Sequence, residues 1–342
     1  MKKRLLALFI LALIICTCAG ALKMMKGREK AADTDIVPET AKMPEPRPAE
    51  TAEPEIPPFD SVCELTVKID DEVKTLDMES YLIGVVAAEM PASFETEALK
   101  AQAVAARTYT IYKIRYGCAN HPEAAACDEI TCCKAYSSPE RLREVWGGNY
   151  ETNLERVKTA VDETDGVVVT YESEPILAAF HSSSGGRTAD SGEVWGKSLP
   201  YLASVESPES IDAVPNYIVE KKVPAEEFKK AVLERYPAAQ FSDDMSAWVT
   251  ISSISPSGRV EDAALGGVPV KGYNVRSLFD LRSTMFTVSA DNEGIIFTTA
   301  GYGHGVGLSQ YGANIMAREG SSYGEILAAY YTGTGLTRVI MD

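Results

Sequence analysis

Hydrophobic and polar residues alternate along residues 62–70, a pattern that predicts a half-buried β-strand. Residues 78–89 are predicted to form a short helix, which Pro91 ends because the residue before a proline avoids the helical region. A second helix, rich in alanine, is predicted to follow. Ser93 can cap its start, and it runs to about Tyr116.

The rest of the chain mixes strands and helices. Strand-like runs occur near residues 166–171, 176–180, 247–254 and 284–299. Residues 309–319 are predicted to form a helix, and Ser322 with Glu325 makes a capping box for a last one. Because helices and strands do not alternate regularly as βαβ units, the predicted fold class is α+β.

An apolar run near the N-terminus predicts that most of the chain is exported from the cytoplasm. Basic residues precede residues 5–22, an 18-residue stretch that would span ~27 Å as a helix, enough for a hydrocarbon core. We interpret residues 1–25 as a single-pass membrane anchor, with the N-terminus in the cytoplasm and the rest of the chain outside. A signal peptide cleaved near residues 19–21 and a lipoprotein processed at Cys16 are the alternatives, and all three export the remainder.

Residues 26–59 differ in composition from the rest of the exported chain. They hold seven of the 18 prolines, interleaved with Glu, Ala and Thr. Such a stretch buries little and stays extended, so we expect a tether before a folded part at residues 60–342. The formal net charge of −16 argues against binding to nucleic acid or to anionic lipid surfaces, which both require a basic surface.

Glu89 is the first candidate for chemistry. It lies at the C-terminal end of the first predicted helix, among apolar residues. The negative end of the helix dipole and burial both disfavour a charged carboxylate, so the position suits a general acid. A surface glutamate at a frayed helix end is the alternative, and the pattern alone favours that alternative.

Three polar residues on the next helix could contact a ligand beside Glu89. They are Lys100, Gln102 and Arg107. Lys100 and Arg107 are seven residues apart and therefore share a face, which could hold anionic or polyol groups. A solvated basic face is the alternative interpretation.

Two loops rich in small residues are candidate ligand contacts. The first carries Ser182 and Ser184 ahead of a glycine pair, which lets a sugar approach the backbone closely. The second, residues 301–313, alternates glycine with other residues and places His304 and Gln310 together before a helix. It lacks the signatures of phosphate-binding glycine loops, and glycine for turn geometry alone is the alternative.

Four cysteines and one histidine fall within residues 118–133. Zinc takes four such ligands, and a short loop can close on it. The predicted ligands of one structural zinc ion are His121, Cys127, Cys132 and Cys133. Cys118 is the reserve ligand, because two adjacent cysteines cannot easily both reach one ion. Disulfide bonds, which export permits, are the competing interpretation.

Several segments together carry a resemblance to a known family. They are residues 81–91, 97–109, 180–188, 200–202 and 303–313. In this order, and across most of residues 75–335, they resemble the stage II sporulation protein D family of endospore-forming bacteria.

The resemblance implies a membrane-anchored lytic transglycosylase. Such an enzyme cleaves peptidoglycan glycan strands between N-acetylmuramic acid and N-acetylglucosamine and leaves 1,6-anhydro ends. Glu89 corresponds to the catalytic acid/base, and Arg107 and Tyr201 to substrate-binding residues. We expect two subdomains flanking a glycan-binding cleft. In the metal loop, Cys132 stands where the family commonly has His, and Lys134 where it commonly has Gln.

The resemblance also implies a cellular role and partner proteins. It implies a role in septal wall remodelling and engulfment of the forespore, with stage II sporulation proteins P and M as partners. A second function class stays open, because relatives are described as amidase enhancers. That alternative is a glycan-binding protein that cleaves nothing itself and modulates a partner amidase.

Overall fold

The computed structural model describes residues 57–70, 72–118, 120–129 and 132–339. The predicted anchor, and the tether up to residue 56, lie outside the described residues. Among the helices that are described, none combines the length and apolar character needed to cross a bilayer.

Helices make up much of the first half of the described chain and its C-terminal end. The α-helices are α1 (Phe59–Val62), α2 (Met78–Glu89), α3 (Thr96–Tyr116), α4 (Pro139–Trp146), α5 (Tyr150–Asp162), α6 (Ser191–Trp195), α7 (Ala225–Arg235), α8 (Gly272–Leu278), α9 (Gln310–Arg318) and α10 (Tyr323–Tyr330). Short 3₁₀ turns follow α4 and α7, at Gly147–Asn149 and Met245–Ala247. The capping box predicted for Ser322 and Glu325 is present at α10.

The strands form several small sheets. They are β1 (Glu64–Ile69), β2 (Glu72–Asp77), β3 (Ala126–Cys127), β4 (Val167–Tyr171), β5 (Glu174–Pro175), β6 (Phe180–His181), β7 (Ile218–Pro224), β8 (Val249–Ile254), β9 (Val260–Leu265), β10 (Val268–Lys271), β11 (Phe286–Ala290), β12 (Gly294–Ala300), β13 (Leu308–Ser309) and β14 (Gly335–Arg338). The sheet orders are β2-β1-β3, β14-β4-β5, β13-β6, β10-β9-β8 and β11-β12-β7. The predicted α+β class is confirmed.

The buried apolar residues form two clusters. The larger surrounds α3, whose alanines let α2, α5, α9, α10 and β4 pack closely against it. The smaller lies among the strands and helices of residues 218–300, where Phe228 stacks on Phe279 with ring centroids 4.8 Å apart.

Two local predictions were wrong. Helix α3 begins at Thr96 with Glu95 as its N-cap residue, and Ser93 does not cap it, because residues 91–94 close a turn through the bond from the Phe94 N–H to the Pro91 carbonyl. Residues 176–180 do not form the predicted strand: only the Ile176 N–H continues the pairing of β5 with β4, by donating to the Val169 carbonyl. Consecutive bonds between residues two apart coil this segment tightly, and only its end joins a strand, β6.

Candidate functional site

Glu89 stands at the last turn of α2 and faces a groove of about 400 Å³. Its side chain is half-buried, and its Oε1 accepts a hydrogen bond of 3.1 Å from the backbone N–H of Ala135. Tyr136 holds that segment against α2, because its ring lies where a Cβ on Gly84 would stand. The other residues that line the groove are Ala88, Cys133, Lys134, Phe180, His181, Ser182, Tyr302, Gly303, His304 and Gln310.

The wall opposite Glu89 depends on glycine. Parallel pairing of β13 with β6 brings the loop at residues 301–307 beside His181. Gly303 has a φ of 112°, and a Cβ on it would lie 2.9 Å from the Cβ of His181. Gly305 has a φ of 85°, and a Cβ there would lie 2.1 Å from the guanidinium of Arg259. Positive φ and close packing therefore both require these glycines.

Two neutral histidines lie in this wall. Burial lowers the pKa of His181 to about 3 and holds that of His304 well below its ordinary value. His304 Nδ1 accepts from the Val306 N–H at 3.0 Å, and His181 Nδ1 lies 3.2 Å from the Val306 carbonyl. These bonds assign the ring proton of His304 to Nε2 and that of His181 to Nδ1, which leaves His181 Nε2 as a buried lone pair without a partner among the described residues. The groove is thus lined by two imidazoles that carry no charge near neutral pH.

Lys134 is a groove residue that sequence reasoning did not select. It is buried, with its ammonium 3.7 Å from the ring centroid of Phe180 and 4.3 Å from that of Tyr109. Burial lowers its pKa to about 8, and the charge of Glu89 opposes this shift. The sequence feature that could have identified Lys134 is its position in the metal-loop motif, where the family commonly has Gln.

The four loop cysteines converge beside the groove. Cys118 Sγ lies 3.8 Å from Cys127 Sγ, 3.2 Å from Cys132 Sγ and 3.6 Å from Cys133 Sγ. The sulfurs of adjacent Cys132 and Cys133 are 3.9 Å apart. Four sulfurs around a tetrahedral zinc would be about 3.8 Å apart, whereas a disulfide bond requires about 2 Å. The donor set and its spacing therefore fit zinc.

The structure groups the predicted zinc ligands differently. His121 lies outside the four-sulfur cluster and groups with Cys127 and Glu129 instead, with its ring nitrogens 3.5 Å from the carboxylate of Glu123 and 3.2 Å from that of Glu129. Cys118 takes its place among the four groups. The expectation that adjacent cysteines cannot converge was wrong, because the turn at residues 132–133 brings both side chains to the same side.

The three polar residues predicted on α3 do not form one face beside Glu89. Lys100 pairs with Glu97 and Glu163 at the helix surface. Gln102 is buried and reaches the groove only through Gln310, whose Nε2 donates to its Oε1 at 3.5 Å.

The expectation that Arg107 binds substrate was wrong. Its side chain is fully buried, and it pairs with Asp60 inside the larger core.

Of the remaining residues predicted to contact a ligand, some line the groove and others do not. Ser182 lines the groove with His304 and Gln310. Ser184 instead donates its hydroxyl to the buried carboxylate of Glu209 at 2.6 Å. Tyr201 lies away from the groove, where its hydroxyl accepts from the Leu177 N–H at 3.3 Å. The structure thus brings Glu89, Ser182, His304 and Gln310 together.

The lining favours one class of chemistry. Glu89 is the only acidic side chain among the described residues that line this groove. Lys134 is the one cationic residue of this described lining, and the other polar groups are neutral donors and acceptors, which suits a polyol or amide ligand. A single carboxyl can donate a proton and later accept one.

Comparison with known proteins shows the family of this chain. Residues 68–171 match the family model described as Stage II sporulation protein. The chain is 38% identical over 269 residues to stage II sporulation protein D of Bacillus subtilis (strain 168), covering 78% of this chain and 76% of that protein. Its counterpart in Bacillus amyloliquefaciens is 36% identical over 266 residues, covering 78% and 75%. The amidase enhancer of Bacillus subtilis (strain 168) is 30% identical over 303 residues, covering 75% of this chain and 40% of that protein.

Proposed function

This chain belongs to the stage II sporulation protein D family, and we propose that it is a peptidoglycan lytic transglycosylase with Glu89 as its acid and base. The observation that carries the proposal is the single carboxyl in the groove. Ordinary glycosidases use two carboxylates, one on each side of the scissile bond. A lytic transglycosylase needs one, because the 6-hydroxyl of the muramic acid is itself the nucleophile.

The proposed reaction returns Glu89 to its starting state. Glu89 protonates the glycosidic oxygen, and the bond from that oxygen to C1 of N-acetylmuramic acid breaks. The 6-hydroxyl oxygen then bonds to C1, and its proton passes to Glu89. The products are a 1,6-anhydro end and a free 4-hydroxyl on N-acetylglucosamine, and no water is consumed.

Other groove residues position the glycan in this proposal. The His304 imidazole and the Gln310 amide contact sugar or acetamido oxygens. The cation of Lys134 stabilises the carboxylate after the first proton transfer. The backbone N–H of Ala135 fixes the rotamer of Glu89.

Muropeptide analysis tests the proposal. Isolated sacculi incubated with the protein should release products with 1,6-anhydro ends, and Glu89→Gln should reduce their rate by roughly 10²–10⁴. Glu95→Gln is the matched control, because Glu95 is an exposed glutamate that does not line the groove. Normal yield of anhydro products from Glu89→Gln excludes the assignment.

The amidase enhancer among the relatives supports a second candidate function. In that case the protein binds glycan and accelerates a partner amidase without cutting glycan itself. An assay with amidase and sacculi separates the two functions. Enhanced release of peptides without anhydro ends, unchanged by Glu89→Gln, indicates the enhancer.

We also propose that one zinc ion is held by Cys118, Cys127, Cys132 and Cys133. Bound there, zinc closes a loop that is too short to build a core of its own. Protein purified without added metal should contain about one zinc per chain by elemental analysis. Cys118→Ala should lower the zinc content strongly, whereas His121→Ala and Cys63→Ala should not. A zinc content below a tenth per chain, with the loop cysteines oxidised, favours disulfides instead.

The cellular setting stays a proposal on family grounds. We expect a single-pass anchor in the cell membrane, an ectodomain that acts on the septal wall during engulfment, and stage II sporulation proteins P and M as partners. Fractionation of sporulating cells, with a tag at the C-terminus, tests the anchor. Recovery of the mature protein in the soluble fraction contradicts it.

A further inference from the structure

We infer that a second groove, lined by Trp195 and Tyr273, is a carbohydrate subsite that holds the same glycan strand as the groove at Glu89. This inference rests on the proposed function. The second groove has a volume of about 550 Å³ and lies between α6 and the sheet β10-β9-β8. Its volume falls within the usual range for small-ligand sites.

Trp195 connects the two grooves. Its ring centroid lies 5.5 Å from that of His304, which lines the groove at Glu89, while Trp195 itself lines the second groove. Trp195 therefore contacts a lining residue of the first groove while it lines the second. Contact with His304 on one side leaves the rest of the ring open to the second groove.

The exposure of the aromatic rings needs an explanation. Trp195 is 44% exposed and Tyr273 is 61% exposed, although both are large apolar groups. A pair of such rings bordering one concavity marks a binding surface. Aromatic rings suit sugars in particular, because the negative face of the ring attracts the C–H groups on the flat face of a pyranose.

The polar lining fits an uncharged ligand. Carboxylates of Glu193, Glu261 and Asp262 share the groove with the cations of Arg259 and Lys271. Lys271 and Asp262 neutralise each other at 2.6 Å. The lining thus has no strong excess of either sign, and it offers donors and acceptors for hydroxyl and acetamido groups.

The floor of this groove is rigid. Arg259 is almost fully buried and donates to the carbonyls of Ser184 at 2.9 Å and Arg187 at 3.1 Å. Its guanidinium also packs against Gly305 in the loop that carries His304. The two grooves therefore share one supporting residue, which fixes their spacing for a strand that occupies both.

Binding of oligosaccharides of increasing length tests the inference. The full chain carrying Glu89→Gln, which prevents cleavage, is titrated with N-acetylglucosamine oligomers of two and six units in a calorimeter. The longer oligomer should bind at least about tenfold more tightly, because it alone reaches the second groove. Adding Trp195→Ala or Tyr273→Ala should remove most of that advantage while affinity for the dimer stays unchanged.

Two controls separate the possible failures. Tyr116→Ala removes an aromatic ring that is 58% exposed and lines neither groove, so it should keep the advantage of the longer oligomer. Thermal melts of each variant confirm folding. A length advantage that survives both Trp195→Ala and Tyr273→Ala, or dimer binding without any length advantage, overturns the second subsite alone. Absence of binding to either oligomer overturns the proposed function together with the subsite.

Discussion

Replacing Arg107 by methionine should destabilise the fold rather than remove a contact to substrate. The guanidinium Nε donates to both carboxylate oxygens of Asp60, at 2.8 and 3.0 Å. Its terminal nitrogens also donate to the carbonyls of Val167 at 3.1 Å and Val161 at 3.3 Å. Arg107 is 0% exposed and Asp60 is 2% exposed, so water cannot replace the lost partner.

The magnitude follows from the charge that stays behind. Removing one partner of a buried ion pair costs about 3–5 kcal/mol, because the remaining charge is neither solvated nor paired. Domains of this kind have a total stability of roughly 5–15 kcal/mol, so the loss is a large share. At roughly 2–3 °C per kcal/mol the melting temperature should fall by about 6–15 °C.

A double-mutant cycle provides the assay. Melting temperatures are measured for Arg107→Met, Asp60→Asn and the double variant. The double variant should be more stable than Arg107→Met, since no charge is left buried. The cost should also depend on pH. Burial raises the pKa of Asp60 and Arg107 opposes that rise. Without Arg107 the protonated carboxyl is favoured in the folded state, so the loss of stability is smaller at pH 5 than at pH 8.

One result refutes this reasoning. If Arg107→Met keeps the melting temperature of the unchanged protein and loses glycan cleavage, Arg107 acts on the substrate. An additive cycle with large single effects also contradicts a direct pair. Activity per folded molecule should otherwise stay close to that of the unchanged protein, because the ion pair does not line the groove.

Three further predictions concern positions around the groove. Gly84→Ala should lower the free energy of unfolding by about 1–3 kcal/mol and reduce glycan cleavage, because the new Cβ would lie 2.3 Å from the Tyr136 ring and displace the Ala135 N–H that holds Glu89. Gly324→Ala is the control in thermal melts and turnover assays, because its new Cβ meets nothing closer than 3.6 Å. Acidification from pH 7 to pH 5 should destabilise the protein by about 2 kcal/mol through His181, because its pKa of about 3 in the folded state means that only the unfolded chain binds a proton there. His181→Gln should remove this contribution to the pH dependence of the free energy of unfolding. Tyr201→Phe should lower stability by only about 0.5–1.5 kcal/mol, the worth of one hydrogen bond, and leave turnover within twofold, and a large loss of turnover would show a contact with substrate.

The sequence was most informative where the pattern is local. The helix over residues 78–89 and the capping box at Ser322 are where the pattern predicted them, because caps and prolines act on their own neighbours. The local pattern placed Glu89 at a helix end but favoured a surface glutamate there, and the family resemblance was needed to select it. The strand predicted over residues 176–180 was wrong, because apolar strand-like composition does not reveal the tight turns between residues 176 and 179.

Long-range partners were beyond the reach of the sequence. The spacing of Lys100 and Arg107 fixed their angle on α3, but the partner of Arg107 comes from Asp60, 47 residues earlier. Lys134 is buried only because the rings of Phe180 and Tyr109 enclose it. No periodicity in the sequence relates such positions. The sequence likewise does not show whether Cys118 or His121 lies with the other three cysteines, because this depends on how the loop turns.

The groove joins parts of the chain that are made at very different times. Glu89 and its hydrogen-bond donor Ala135 lie early in the chain, whereas His304 and Gln310 come from the last tenth or so of the residues. Because synthesis proceeds from the N-terminus, a nascent chain contains Glu89 long before His304 and Gln310 have been made. Under the proposed function, an unfinished or truncated chain would carry the acid without the residues that position a glycan, and it should leave peptidoglycan intact.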